Sequence, residues 1–162
     1  MERVYNFSAG PAMIDQSVLE KAASELVCYG DKGMSVLEMS HRTPMFMDIY
    51  NEALALFREV MGVPEGYDVL FLQGGATMEF AAIPLNLMTG SRTADYLDTG
   101  NFAHLAAEEA KKYGTVNIVA SSRADNYTYI PDVDQIQYTP DADYVYITTN
   151  NTIYGTRYGK LP

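Results

Sequence analysis

Apolar positions in the first part of the chain recur every three or four residues, the spacing of a helix with one buried face. One such segment covers residues 16–29 and lies between Asp15, a capping residue, and Gly30, which suits a helix end. A second segment opens with a proline and ends before a glycine, as complete helices commonly do. The pattern therefore predicts a helical region over residues 16–62, preceded by an extended arm over residues 1–15.

From residue 67 onward the hydrophobic pattern alternates between short β-prone runs and helical segments. The apolar runs predict strands at residues 69–72, 93–97, 115–120 and 143–149. Helices are predicted from residue 76 and over residues 102–113, the second of them capped by Asn101. Such alternation is typical of a mainly parallel sheet covered by helices, so the predicted fold class of residues 67–162 is α/β.

A pair of glycines, Gly74 and Gly75, joins the first predicted strand to the helix that begins at Ala76. Glycine lets a backbone approach a ligand closely, and the first N–H groups of a helix have no partner within that helix. The same helix end carries partial positive charge, so it favours phosphate or carboxylate, and Thr77 adds a hydroxyl donor. A tight turn without a ligand is the alternative interpretation, because a short glycine turn is a weak motif.

Three turns rich in small or polar residues follow predicted strands, at residues 74–77, 99–102 and 150–152. The carboxyl ends of parallel strands lie at one edge of a sheet, and ligands of α/β proteins bind beyond that edge. The convergence of three such turns favours a ligand site over simple turns.

His41 and Arg42 are adjacent in a segment without helical spacing, just ahead of the predicted helix that begins at Pro44. An arginine at such a position can hold a carboxylate with two parallel hydrogen bonds. The alternative is a solvated surface pair, and the two residues alone do not distinguish these interpretations.

Composition limits the classes of partner. The 162 residues carry a formal net charge of −10, which disfavours binding to nucleic acid or to an anionic membrane. The single cysteine, Cys28, excludes an internal disulfide, fits a reducing compartment and is expected to be a small buried hydrophobe. The sequence has no apolar run that could span a bilayer, and its start is too polar for a signal peptide. The expected location is the cytoplasm, and no dedicated metal site is expected.

Several segments, in order along the chain, together resemble the phosphoserine aminotransferase family. They read NFSAGPA at 6–12, SHRT at 40–43, FLQGGATMEFAAIPLNL at 71–87, TADYLDTG at 93–100 and NNTIYGT at 150–156. The resemblance implies a class V aminotransferase with the type I fold of pyridoxal-phosphate-dependent enzymes, acting as a homodimer. The implied reaction moves an amino group from glutamate to 3-phosphohydroxypyruvate, which gives 2-oxoglutarate and O-phosphoserine in serine biosynthesis.

The resemblance also implies roles for individual residues. The cofactor phosphate is expected at the turn formed by Gly75, Ala76 and Thr77. Phe102 matches the aromatic residue that stacks on the pyridine ring, a position often occupied by tryptophan, and Thr152 matches a threonine that contacts the cofactor. The remaining match is the substrate-carboxylate site, which is expected at Arg42 with His41 beside it.

The resemblance finally implies that this chain is the N-terminal part of a large cofactor-binding domain. None of its lysines follows a strand in the family's context for the Schiff-base lysine, which is expected beyond Pro162 together with the C-terminal half. The chain alone is therefore expected to be inactive. The alternatives are a non-catalytic phosphate-binding or assembly module, or another fold type I aminotransferase.

Overall fold

The computed structural model describes residues 3–162, which fall into two compact units. The first unit ends at Phe71, and the second comprises Leu72–Pro162. The first unit contains helix α1 (Gln16–Glu25), a 3-10 turn at Val36–Glu38 and helix α2 (Pro44–Met61). Among residues 3–162, no helix combines the length and apolar character needed to cross a bilayer.

Helix α1 begins where the sequence predicts and ends earlier. The carboxylate of Asp15 accepts a hydrogen bond from the N–H of Ser17 at 2.8 Å, which confirms the predicted cap. The predicted continuation to residue 29 is wrong, because the N–H of Tyr29 donates to the carbonyl of Met34 across a turn and not to the preceding helical turn. Cys28 lies just ahead of that turn and is half-buried, less than expected.

Helix α2 has the predicted start and end. The hydroxyl of Thr43 accepts from the N–H of Phe46 at 3.4 Å, and Gly62 takes the left-handed conformation (φ 60°) that ends the helix. The guanidinium of Arg58 donates to the carbonyl of Tyr67 at 2.5 Å and to that of Pro64 at 3.0 Å. These bonds hold the segment after the helix against the last turns of the helix.

Residues 69–72, predicted as a strand, form none. A strand is defined by hydrogen bonds to a neighbouring strand, and no described residue of 3–162 supplies such a neighbour here. The side chain of Phe71 instead packs edge-on against the rings of Tyr50 and Phe57, at centroid distances of 5.7 and 5.9 Å. An apolar, β-prone run therefore favours an extended backbone. Whether that backbone becomes a strand depends on whether another strand lies next to it.

The second unit is built on a parallel sheet of three strands, β1 (Thr93–Asp98), β2 (Thr115–Ser121) and β3 (Tyr144–Tyr146), in the order β2-β1-β3. Helices α3 (Gly75–Leu87) and α4 (Asn101–Ala110) pack on each other, and α4 also packs on β1 and β2. A short antiparallel pair follows, β4 (Asn150–Asn151) and β5 (Thr156–Arg157). The predicted class, a mainly parallel α/β sheet covered by helices, is confirmed.

Strand β1 is central and fully buried beyond its first residue. Ala94 and Tyr96 pack with the alanines of α4, whose small side chains allow the helix to lie close to the sheet. Leu97, completely buried, packs with Val133 and Tyr158 in a second cluster. Strand β1 is therefore buried on both faces, as the central strand of a covered parallel sheet is, and its polar residue Asp95 needs hydrogen-bond partners there.

Three predicted boundaries in this unit are corrected. Helix α4 starts at Asn101 itself, so Gly100 occupies the capping position predicted for Asn101, and the helix ends at Ala110 rather than at residue 113. Strand β3 covers only Tyr144–Tyr146 of the predicted residues 143–149, and the carboxylate of Asp143 just before it accepts hydrogen bonds from the N–H groups of Gly90, Ser91 and Arg92. Pro84 lies inside α3 without ending it.

The segment between β2 and β3, residues 122–142, is irregular apart from 3-10 turns at Arg123–Asp125 and Val133–Gln135. It is fastened to the sheet by the buried carboxylate of Asp95, which accepts from the N–H of Thr139 at 2.6 Å. The amide of Asn117 donates to the hydroxyl of Thr139 at 2.9 Å. A buried polar side chain with such partners fixes a long loop at a defined place.

Candidate cofactor site

The N-terminus of α3 has the geometry of an anion site. Its capping residue Gly74 has φ 100° and makes no side-chain hydrogen bond to the helix, so the first N–H groups are left to an external partner. A Cβ at Gly74 would lie 1.9 Å from the Cγ atom of Met78, so the turn admits only glycine there. Gly75, Ala76 and Thr77 are all exposed, which leaves their N–H groups and the Thr77 hydroxyl open to a phosphate.

Phe102 and Thr152 lie at the carboxyl edge of the parallel sheet. Phe102 is in the first turn of α4, directly after β1, and 43% of its surface is exposed. Thr152 is exposed in the turn between β4 and β5, shortly after β3. Because α3 leads into β1 and packs on α4, its N-terminus lies toward the same edge. The structure thus brings the predicted cofactor residues to one edge of one unit.

A buried carboxylate that sequence reasoning missed lies at this edge. Asp98, the last residue of β1, is only 4% exposed and accepts from the hydroxyl of Tyr127 at 3.1 Å. Its other oxygen lies 3.7 Å from Nδ1 of His104, whose ring contacts the guanidinium of Arg123 at 3.2 Å. Burial and then the Asp98 charge raise the pKa of Tyr127 to about 12, so this tyrosine is a neutral donor.

The sequence alone does not indicate Tyr127, because it lies in a polar loop, where a tyrosine is expected to be exposed on the surface. No spacing along the chain links it to Asp98, since the two residues meet only through the tertiary fold. The Asp98 position itself had a signal, because it directly precedes one of the three turns that follow predicted strands.

His41 and Arg42 belong to the first unit, in the turn between the 3-10 turn and α2. The hydroxyl of Ser40 accepts from the N–H of Arg42 at 3.4 Å, and its carbonyl accepts from the hydroxyl of Thr43 at 2.8 Å. Both side chains are exposed, and within residues 3–162 neither forms an ion pair. The Arg42 guanidinium is therefore accessible to an anionic ligand.

Taken together, the parallel sheet with its covering helices and the exposed helix terminus toward its carboxyl edge define an α/β protein with a candidate anion site. The family model for Aminotransferase class-V matches residues 4–160, nearly the whole chain. This chain belongs to the class V aminotransferase family.

Relatives with similar sequences carry a more particular name. A phosphoserine aminotransferase of Bacillus cereus is 52% identical over 162 residues, which is all of this chain and 45% of the relative. That of Halalkalibacterium halodurans is 46% identical with the same coverage. The resemblance inferred from the motifs is thereby confirmed.

Solved structures agree. The phosphoserine aminotransferase from Bacillus circulans subsp. alkalophilus matches with a TM-score of 0.93 at 44% identity, over 100% of this chain and 45% of that one. A PLP-bound phosphoserine aminotransferase from Trichomonas vaginalis matches with a TM-score of 0.90 at 38% identity, over 99% of this chain and 45% of that one. The chain thus spans less than half the length of the proteins it matches.

Proposed function

We propose that this chain is the cofactor-binding part of a pyridoxal-phosphate-dependent phosphoserine aminotransferase. The observation that carries the proposal is the match of the whole chain, at 52% identity, to enzymes of that name. The glycine turn ahead of α3 supports it independently, because an anion cradle is what the phosphate of this cofactor requires.

In this proposal the N–H groups of Gly75, Ala76 and Thr77, with the Thr77 hydroxyl, hold the cofactor phosphate. The phosphate is doubly charged near neutral pH, so every one of these bonds is charge-assisted. The helix dipole of α3 adds favourable electrostatic energy without a lysine or arginine. The site therefore fits a phosphate monoester better than a neutral ligand.

Phe102 and Thr152 orient the rest of the cofactor. The exposed ring of Phe102 stacks on a flat heteroaromatic ring and excludes water from one face of it. The Thr152 hydroxyl, exposed at the neighbouring turn, hydrogen-bonds a polar substituent of that ring. When bound, pyridoxal phosphate supplies the electron sink that amino-group transfer requires.

Arg42 and His41 bind substrate in this proposal. The substrates are glutamate and 3-phosphohydroxypyruvate, both of which carry carboxylates, and the products are 2-oxoglutarate and O-phosphoserine. A guanidinium holds a carboxylate with two parallel bonds, which fixes its orientation as well as its charge. The exposed Arg42 side chain, without an ion pair among residues 3–162, is suited to that role.

The proposal includes a cytoplasmic homodimer. Support comes from the first unit, where large apolar side chains such as Leu26 and Val60 are 58% and 80% exposed. Such surfaces are unusual in a monomer and are covered in an assembly. Light scattering of the full-length protein tests the dimer, and a fully active monomer contradicts it.

The reaction is tested with the full-length protein that carries this chain. A coupled assay supplies glutamate and 3-phosphohydroxypyruvate and measures the formation of 2-oxoglutarate, which we expect to depend on added pyridoxal phosphate. Other donor and acceptor pairs are assayed in parallel. If another donor and acceptor pair is turned over, and glutamate with 3-phosphohydroxypyruvate is not, the protein is a different aminotransferase.

A further inference from the structure

We propose that Asn151 is a positioning residue that sets the place of Thr152 relative to Phe102, an inference that rests on the proposed cofactor site. Asn151 acts with two other buried residues, Thr99 and Tyr158, which together are called the Thr99 cluster. The cluster joins the turn that carries Thr152 to the start of the helix that carries Phe102.

The Thr99 cluster is a closed set of polar side chains in the interior. Thr99 is 0% exposed, Asn151 3% and Tyr158 6%. The amide nitrogen of Asn151 donates to the Thr99 hydroxyl at 3.4 Å, and the Tyr158 hydroxyl donates to the same oxygen at 3.3 Å. Buried polar groups keep such partners because leaving one unpaired is costly. The cluster therefore holds three chain segments at one point.

One of these segments is the start of α4. Gly100, its capping residue, follows Thr99, and its carbonyl accepts the helical bond from the N–H of His104 at 2.9 Å. A Cβ at Gly100 would lie 2.3 Å from the Oδ1 atom of Asn151, so the amide packs directly against this backbone. The side chain of Asn151 thus contacts the residue from which the helix carrying Phe102 begins.

The other segment is the turn that presents Thr152. The carbonyl of Asn151 accepts from the N–H groups of Tyr154 and Gly155, at 3.1 and 2.9 Å. These two bonds close the turn between β4 and β5, with Thr152 exposed inside it. The backbone of Asn151 therefore shapes the turn, while its side chain fastens the turn to Thr99.

A second contact supports the same turn. The ring of Tyr154 lies 4.8 Å from that of Tyr127, whose hydroxyl bonds to Asp98 at the end of β1. The Thr152 turn is therefore held to the strand end by polar bonds on one side and by an aromatic contact on the other. Thr152 therefore lies in a turn with two attachments to the sheet, which is what holding its hydroxyl in one place requires.

The test uses the full-length protein with Asn151→Ala and titration of the apoenzyme with pyridoxal phosphate. We expect affinity to fall about tenfold, the size of a weakened hydrogen bond to a charged or polar cofactor group. The matched control is Asn117→Ala, which removes another asparagine-to-threonine bond, 2.9 Å long, within the same unit. The control should lower the thermal midpoint and leave cofactor affinity unchanged.

A double-mutant cycle separates positioning from general damage. If Asn151 acts by placing Thr152, then Asn151→Ala costs less than about threefold in affinity when Thr152→Val is already present. Equal losses in both backgrounds overturn the proposal. Hydrogen exchange gives a readout apart from affinity. The amides of Tyr154 and Gly155 should exchange faster in Asn151→Ala than in the parent, and at the parent's rate in the control Asn117→Ala.

Tyr158→Phe repeats the test if Asn151→Ala does not fold, because it removes only one donor to Thr99 and keeps the ring in the core. Faster exchange at the turn and weaker cofactor binding support the proposal, and unchanged values overturn it. A parent protein that does not bind pyridoxal phosphate contradicts the proposed function itself. If the parent binds pyridoxal phosphate and Asn151→Ala binds it with equal affinity, only the positioning role is overturned.

Discussion

The two units of this chain use hydrophobic residues differently. In the second, the central strand and the inner face of α4 are buried, with Leu97, Ala103 and Ala107 at 0% exposure. In the first, neither α1 nor α2 contains a buried residue, although both have the apolar spacing of amphipathic helices. Among residues 3–71, only Ser35 is buried.

The difference shows what an amphipathic pattern specifies. A helix with an apolar stripe gains most of its stability from the surface that covers the stripe. The sheet supplies that surface for α4 within the second unit, whereas α1 and α2 of the first unit have no buried residue. The pattern predicts which face must be covered, and the covering surface determines how much stability results.

The largest expected effect comes from matched leucine truncations in the two units. Leu97→Ala should lower the free energy of unfolding by about 2–5 kcal/mol, because Leu97 is fully buried in a packed cluster. Leu26→Ala in the 162-residue chain should change it by less than about 0.5 kcal/mol, since Leu26 is 58% exposed. Urea denaturation measures both, and equal losses would contradict the contrast between the units.

Leu26→Ala in the full-length protein sharpens this comparison. If a partner surface covers α1 there, the same substitution should become clearly destabilising, by about 1 kcal/mol or more. A loss that stays negligible would show that the α1 stripe is exposed in the complete protein too.

The next effect concerns cofactor binding in the second unit. Thr77→Val keeps the shape of the side chain and removes one hydrogen bond to a charged phosphate, about 1.5–3 kcal/mol. The apoenzyme should therefore bind pyridoxal phosphate about ten- to a hundredfold more weakly, as measured by titration. Thr77→Ser, which retains the hydroxyl, should bind nearly as well as the parent. Equal affinity in all three proteins would show that the glycine turn only starts helix α3 and does not hold the cofactor phosphate.

A smaller effect is expected in the first unit. Arg42→Lys keeps the charge and loses the planar fork, so the KM for glutamate should rise about tenfold. Cofactor affinity of the apoenzyme should stay unchanged, because the predicted phosphate site lies in the second unit. Steady-state kinetics and cofactor titration together test this separation, which an unchanged KM would contradict.

The smallest effect is a dependence of stability on alkaline pH. The folded pKa of Tyr127, about 12, exceeds the ordinary value of 10.0, so the folded protein holds this proton more tightly than the unfolded chain does. Its contribution is complete below about pH 10 and is lost as the pH rises toward 12. Tyr127→Phe should reduce the fall in stability between these values, measured by denaturation. Tyr5→Phe, at an 81% exposed ring, controls for loss of a hydroxyl.

Local signals in the sequence determined much of this protein. The start and end of α2 follow from Thr43, Pro44 and Gly62, whose conformational preferences act over a few residues. The glycine turn ahead of α3 was predicted for the same reason, since only a residue without a Cβ tolerates φ 100° and the contact with Met78. Alternation of β-prone and helical runs was enough for the α/β class.

Tertiary structure alone decided where extended segments pair and which buried polar groups meet. Residues 69–72 are as apolar as a strand and form none, because strand formation depends on a neighbour that local sequence does not encode. In the Thr99 cluster, Asn151 and Tyr158 follow Thr99 by 52 and 59 positions in the sequence. Tyr127 likewise follows its partner Asp98 by 29 positions. Such contacts have no periodicity along the chain, because their partners come together only when the sheet and the helices have packed.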